Sequence, residues 1–135
     1  MLPPKVFVIA PLDPEGRRVQ NAVRLAVEEA GLRVEQYGDV IPPGAELTSN
    51  ILDGIRRADL IIADVSRQNP NVLYEIGFAH ALRKPTILLF NIKSDSGLPS
   101  DLTGLQYIAY DLGDLRHLAD RVKSETQALT MQRSA

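Results

Sequence analysis

Hydrophobic and polar positions along this chain fall into two alternating patterns: short, nearly continuous apolar runs, and longer segments whose apolar residues recur at spacings of three and four. The first predicts strands buried on both faces and the second amphipathic helices, and their alternation predicts βαβ units around a parallel sheet. Lys5 to Ala10 (KVFVIA) is the first strand and ends at Pro11. Arg17 to Ala30 places Val19, Ala22, Val23, Ala26, Val27 and Ala30 on one helical face, with Gly31 at the C′ stop. Leu32 to Tyr37 is the second strand. Gly38 to Ala45, with two prolines and two glycines, is a loop, and Ile51, Leu52 and Ile55 supply the apolar face of a second helix ending near Arg57.

Asp59 to Val65 (DLIIADV) is the third strand. Ser66 to Pro70 is a polar connection in which Asn69 suits the N-cap and Pro70 the first helical position. The helix that follows runs to Arg83, with Leu73, Ile76, Ala79 and His80 expected on its sheet-facing side and Glu75 at the margin of that side. Asn71 and Glu75, four apart, are expected to look the same way. Pro85 to Phe90 and Gln106 to Tyr110 are the fourth and fifth strands, separated by a long loop over Asn91 to Gly104. The last helix covers Asp114 to Leu129, and Thr130 to Ala135 is expected to fray.

Five short strands joined by right-handed crossovers predict one three-layer α/β domain over residues 1–135, flavodoxin- or Rossmann-like, with a five-stranded parallel sheet in the order 2-1-3-4-5. Strand order then reverses between the first and third strands, so chemistry should gather at the carboxyl edge, among the loops after Ala10, Val65 and Phe90.

Composition narrows the chemistry. The 135 residues contain no cysteine, which removes disulfides, thiolate nucleophiles and Cys-based metal sites and suits a reducing compartment. Two histidines, His80 and His117, have no partner at helical spacing, so no metal is expected. A net charge of −2 with scattered lysines and arginines gives no footprint for polymeric nucleic acid. Neither a secretory signal nor an apolar run of membrane-spanning length is present, so the expectation is a cytoplasmic protein without a membrane partner. The Pro11 to Arg17 segment contains one glycine and matches no phosphate-loop or dinucleotide pattern. A receiver domain would need an acidic pair after the first strand, where Pro11 and Leu12 stand instead.

The block Ala58 to Val65 (ADLIIADV), Asn69 to Leu82 (NPNVLYEIGFAHAL) and Lys84 to Leu89 (KPTILL), with the opening Val6 to Leu12 (VFVIAPL), resembles the nucleoside 2-deoxyribosyltransferase family and its relatives among TIR-like NAD-cleaving domains. The resemblance implies an N-glycosidic-bond enzyme acting on a nucleoside, a nucleoside monophosphate or an NAD-like nucleotide, with no cofactor. It assigns Glu75 as the nucleophile that attacks the anomeric carbon, and Asp64 as the group that orients the sugar or protonates the leaving base. Ligand contacts then fall on Pro11, Asp13, Asn71 and Gly77, and a homo-oligomer is implied. The N-P-N-V-x-Y-E run is nearer the TIR-like branch, so hydrolysis stands beside transfer. A non-catalytic nucleotide-sensing or TIR-like interaction module using the same crevice is the alternative, and a purely structural domain would have that crevice filled by side chains.

Overall fold

The computed structural model describes residues 2–11, 13–36, 47–67, 70–94 and 105–134. The expected loop over Gly38 to Ala45, the N-cap at Asn69 and residues 95–104 of the long loop lie outside the described residues. In chain order the elements are β1 (Lys5–Ile9), α1 (Pro14–Glu29), β2 (Arg33–Gln36), α2 (Leu47–Arg57), β3 (Leu60–Asp64), α3 (Pro70–Ala81), β4 (Thr86–Asn91), β5 (Tyr107–Tyr110) and α4 (Leu115–Ser134). All pairings are parallel and the sheet order is β2-β1-β3-β4-β5, as the alternation of segments predicts.

Side chains alternate across a strand, so each buried strand feeds two cores. Val6 and Val8 of β1, Leu60 and Ile62 of β3, Ile87 and Leu89 of β4, and Ile108 and Tyr110 of β5 face α1 and α4, where they meet Val19, Val23, Val27, Leu118 and Val122. Phe7, Ile9, Ile61, Ala63 and Leu88 face the other way, against Ile51 and Ile55 of α2 and Val72, Ile76 and Ala79 of α3. The strands read as unbroken apolar runs because both faces are covered.

Local chemistry sets the element ends. α1 begins three residues before the expected Arg17, because Asp13 is its N-cap and Pro14 occupies the first turn, where a missing N–H costs nothing. The main-chain turn after α1 closes at Gly31, with φ of 86°. α3 stops at Ala81, two residues before the expected Arg83. There, Arg83 takes a left-handed φ of 58°, while its N–H and those of Leu82 and Lys84 bond back to the carbonyls of His80, Phe78 and Ala79. Lys84 then donates its ammonium to the carbonyls of Arg56 and Ala58, both at 2.9 Å, which satisfies the end of α2. α4 continues to Ser134, past the expected end at Leu129. No helix among the described residues is long and apolar enough to cross a membrane.

α2 lies directly on β1. A Cβ at Gly54 would overlap the Phe7 ring, so hydrogen at this position sets how closely helix and strand approach.

The phase of α3 differs from the expected one. Its buried stripe is Val72, Glu75, Ile76 and Ala79; Leu73 is half-buried and His80 exposed. Glu75 is therefore inside the stripe, not at its margin, and Asn71 is exposed while Glu75 is buried. α3 has apolar side chains on almost every side, so periodicity gave no polar face from which to set its rotation.

Candidate functional site

The carboxyl ends of β3, β4 and β5 and the first turn of α1 surround a cleft of about 570 Å³. That volume lies within the usual range for a small-molecule pocket. The described residues lining it are Glu15 and Gly16 from α1, Asp64, Ser66 and Arg67 at and after the end of β3, Asn91, Lys93 and Ser94 at and after the end of β4, and Tyr110 to Gly113 at and after the end of β5. A Cβ at Gly16 would overlap the Pro11 carbonyl, so this glycine keeps the first turn of α1 against the end of β1.

Asp64 is the centre of the arrangement. It shares the parity of Leu60 and Ile62, which turns its side chain toward the α1 and α4 face, and it is 4% exposed. Its Oδ1 accepts from the Ser66 N–H at 2.9 Å and from the Ser66 hydroxyl at 2.5 Å. Its Oδ2 accepts from the Tyr110 hydroxyl at 2.5 Å. Ser66 Oγ in turn accepts from the Asn91 N–H at 2.8 Å, and Ser94 Oγ donates to the Ser66 carbonyl. Burial, then the charge of Asp64 and the bond to it, push the Tyr110 phenol well above the ordinary tyrosine range, against smaller opposing effects of Ser66 and Arg67. Tyr110 therefore stays protonated and acts as a donor.

A second, more exposed layer holds the cleft mouth. Arg67 forms ion pairs with Asp13 and, at 3.6 Å, with Glu15, joining the chain after β3 to the start of α1. Asp13 also accepts from the Gly16 N–H at 2.8 Å as the cap of α1. Lys93 stands 3.7 Å from Asp111. Asn91 and Asp111 each accept the N–H of the residue two positions on, shaping the two turns that border the cleft.

Of the six residues singled out from the sequence, Asp64 lines this cleft. Asp13 caps α1 and pairs with Arg67 beside it, and Pro11 is buried under Gly16. Glu75 is 5% exposed in the α3 stripe, on the opposite face of the sheet from Asp64. Asn71 and Gly77 are exposed on α3. Sequence reasoning missed Ser66, Arg67, Asn91, Lys93 and Tyr110. The parity of Ile108 and Tyr110 in β5, and the D-x-S spacing of Asp64 and Ser66, were the available signals for two of them. No group of three or more His, Asp or Glu among the described residues is placed to hold a metal.

A sequence model of the TIR domain of CAP12/Pycsar effector proteins matches residues 5–112. Among solved structures, the chain is similar to the CMP N-glycosidase BcmB of Clostridium botulinum, with 27% identity, a TM-score of 0.64, and coverage of 84% of this chain and 97% of that one. It also resembles a 2-deoxyribosyltransferase of Bacillus psychrosaccharolyticus, at 18% identity and TM-score 0.62, covering 82% of this chain and 89% of that one. A flavodoxin-like domain from a Synechococcus protein aligns at 14% identity and TM-score 0.61, over 94% and 99% of the two chains. The last two likenesses are of fold. Among curated protein sequences, none matches this chain.

Proposed function

The chain belongs to the family of CAP12/Pycsar effector protein TIR domains, and on that premise we propose that it breaks the N-glycosidic bond of a nucleotide. The observation that carries the reading is Glu75. It is a carboxylate 5% exposed in the sheet-facing stripe of α3, in a chain that aligns with 97% of the length of a CMP N-glycosidase at 27% identity. Burying a carboxylate among apolar side chains carries a desolvation cost of several kcal/mol that its interactions must offset, and withdraws it from bulk water.

In this reading Glu75 attacks the anomeric carbon as the bond to the base breaks. The electron pair leaves on the base nitrogen, which takes up a proton, and water then hydrolyses the glycosyl ester to free the sugar phosphate and restore the carboxylate. Asp64, with both oxygens already accepting hydrogen bonds, serves as a fixed anion that orients the sugar and not as an acid. Because Glu75 and Asp64 lie on opposite faces of the sheet, this reading requires the ligand to cross the carboxyl edge over the end of β3 to meet both. Arg67 and Lys93 give the cleft two cations that suit a phosphate.

The test is incubation of the protein with CMP, dCMP and NAD, with released base measured by chromatography. Glu75→Gln keeps the shape and is expected to lower turnover about a thousandfold or more, equivalent to about 4 kcal/mol of transition-state stabilisation. Turnover that survives in Glu75→Gln removes that residue from the chemistry. Binding without release of base by the unmodified protein favours a non-catalytic nucleotide-sensing module, a reading supported by the absence of Glu75 from the described cleft lining.

A further inference from the structure

We propose that Tyr110 is a positioning residue: from β5 it locks the Asp64 carboxylate so that one acceptor position remains to receive a hydroxyl of the ligand. The inference rests on the nucleotide reading of the cleft and extends it to a residue that reading does not use.

Proton accounting supports it. Around Asp64 there are three close contacts between oxygens: Ser66 Oγ to Oδ1 at 2.5 Å, Tyr110 oxygen to Oδ2 at 2.5 Å, and Ser66 Oγ to Tyr110 oxygen at 3.2 Å. Two hydroxyl protons serve them. If both point at the carboxylate, the two short contacts are charge-assisted bonds and the long one carries no proton, which matches the distances. An ionised carboxylate offers about four acceptor sites. The Ser66 N–H and hydroxyl take the two on Oδ1, and Tyr110 takes one of the two on Oδ2. One site on Oδ2 is left among the described residues, on a group that lines the cleft. A ligand atom meeting it must bring a hydrogen, as a sugar hydroxyl does.

The lock is rigid because its parts belong to the sheet. Tyr110 is 3% exposed at the end of β5, Ser66 is anchored by the Asn91 main chain at the end of β4, and Asp64 ends β3. Rotation of the carboxylate would break its bonds to Ser66 and to Tyr110 at once. Carboxylate orientation is thus decided before a ligand arrives, which lowers the cost of binding.

Two measurements test the proposal. The first is independent of activity: absorbance titration of the four tyrosines of this chain. One tyrosine is expected to resist ionisation after the others have titrated, and Asp64→Asn should bring it down toward them. If all four titrate together in the unmodified protein, the pairing is overturned.

The second compares the unmodified protein, Tyr110→Phe and Ser66→Ala with CMP, using calorimetric affinity and the pH profile of kcat/KM. Tyr110→Phe is expected to weaken CMP binding about tenfold, lower kcat/KM by a similar or larger factor, and move the acid limb of the profile to higher pH, since a donor to the carboxylate is lost. Ser66→Ala should act in the same direction. A purely structural role would leave the acid limb in place. An active protein whose Tyr110→Phe variant keeps affinity, kcat/KM and the acid limb refutes the positioning role alone. A protein that neither binds nor cleaves CMP, dCMP or NAD refutes the nucleotide reading, and the ligand half of this proposal with it.

Discussion

Tyr110 and Asp64 meet across an intervening strand: the phenol at the end of β5 donates to Oδ2 of the carboxylate at the end of β3 at 2.5 Å, over β4. Strands two places apart are separated by about 10 Å, so only a side chain of tyrosine length, on the same face as the acid, spans that gap. The bond ties the outer strand to the middle of the sheet beside the cleft.

The bond makes stability depend on pH at the alkaline end. The unfolded chain releases the phenol proton near pH 10, whereas the folded chain retains it, because burial and the Asp64 charge raise its pKa. Above that pH the native state holds more protons than the unfolded state, so stability falls as pH rises, by about 1.4 kcal/mol per unit, until the buried phenol ionises too. Below it the contribution is fully present. The gap in urea midpoint between the unmodified protein and Tyr110→Phe is expected to hold constant up to about pH 10 and to shrink beyond it.

Asp13 has two duties that two variants separate. Asp13→Asn keeps a capping oxygen for the Gly16 N–H and removes the charge that pairs with Arg67. Exposed ion pairs contribute about 0–1 kcal/mol, so its effect on thermal unfolding should be small. Asp13→Ala loses the cap as well and is expected to cost about 1 kcal/mol more. Equal losses from the two variants would place the stabilisation in the ion pair.

Gly54 and Gly77 should respond in opposite directions to the same substitution. Gly54→Ala drives a methyl group into the Phe7 ring and forces α2 away from β1, with an expected loss of about 1–3 kcal/mol. Gly77→Ala meets open space inside α3 and should gain about 0.5–1 kcal/mol through helix propensity. Denaturant midpoints at constant slope would register both.

Lys93 is 75% exposed and its contact with Asp111 is 3.7 Å long, so Lys93→Ala should leave the unfolding midpoint nearly unchanged. Under the nucleotide reading it should weaken CMP severalfold while leaving cytidine affinity unaltered, as measured by calorimetry in low salt. Equal weakening of both would mean that the lysine does not meet the phosphate.

Much of the architecture was legible in the order of residues because it rests on local periodicity. Unbroken apolar runs such as Val6 to Ile9 and Leu60 to Ala63 required cover on both faces, and the helical segments between them required parallel crossovers, from which the order β2-β1-β3-β4-β5 followed. Asp64 could also be placed at the carboxyl edge from its position at the end of such a run. The phase of α3 could not, since nearly uniform apolarity from Val72 to Leu82 leaves rotation to be chosen by packing against β3 and β4.

The distant neighbours of Asp64 were decided in three dimensions alone. Tyr110 lies 46 residues away and Asn91, which anchors Ser66, 25 residues from that serine, and no local pattern encodes such pairings. They exist because the parallel sheet brings the carboxyl ends of β3, β4 and β5 to one edge, with Asp64 and Tyr110 turned to the same face. By itself the sequence determined which segments form strands and helices and how they stack, through the burial of apolar surface. Only tertiary packing decided which side chain holds the acid, and on which side of the sheet the cleft opens, because hydrogen bonds between distant strands depend on register and parity together.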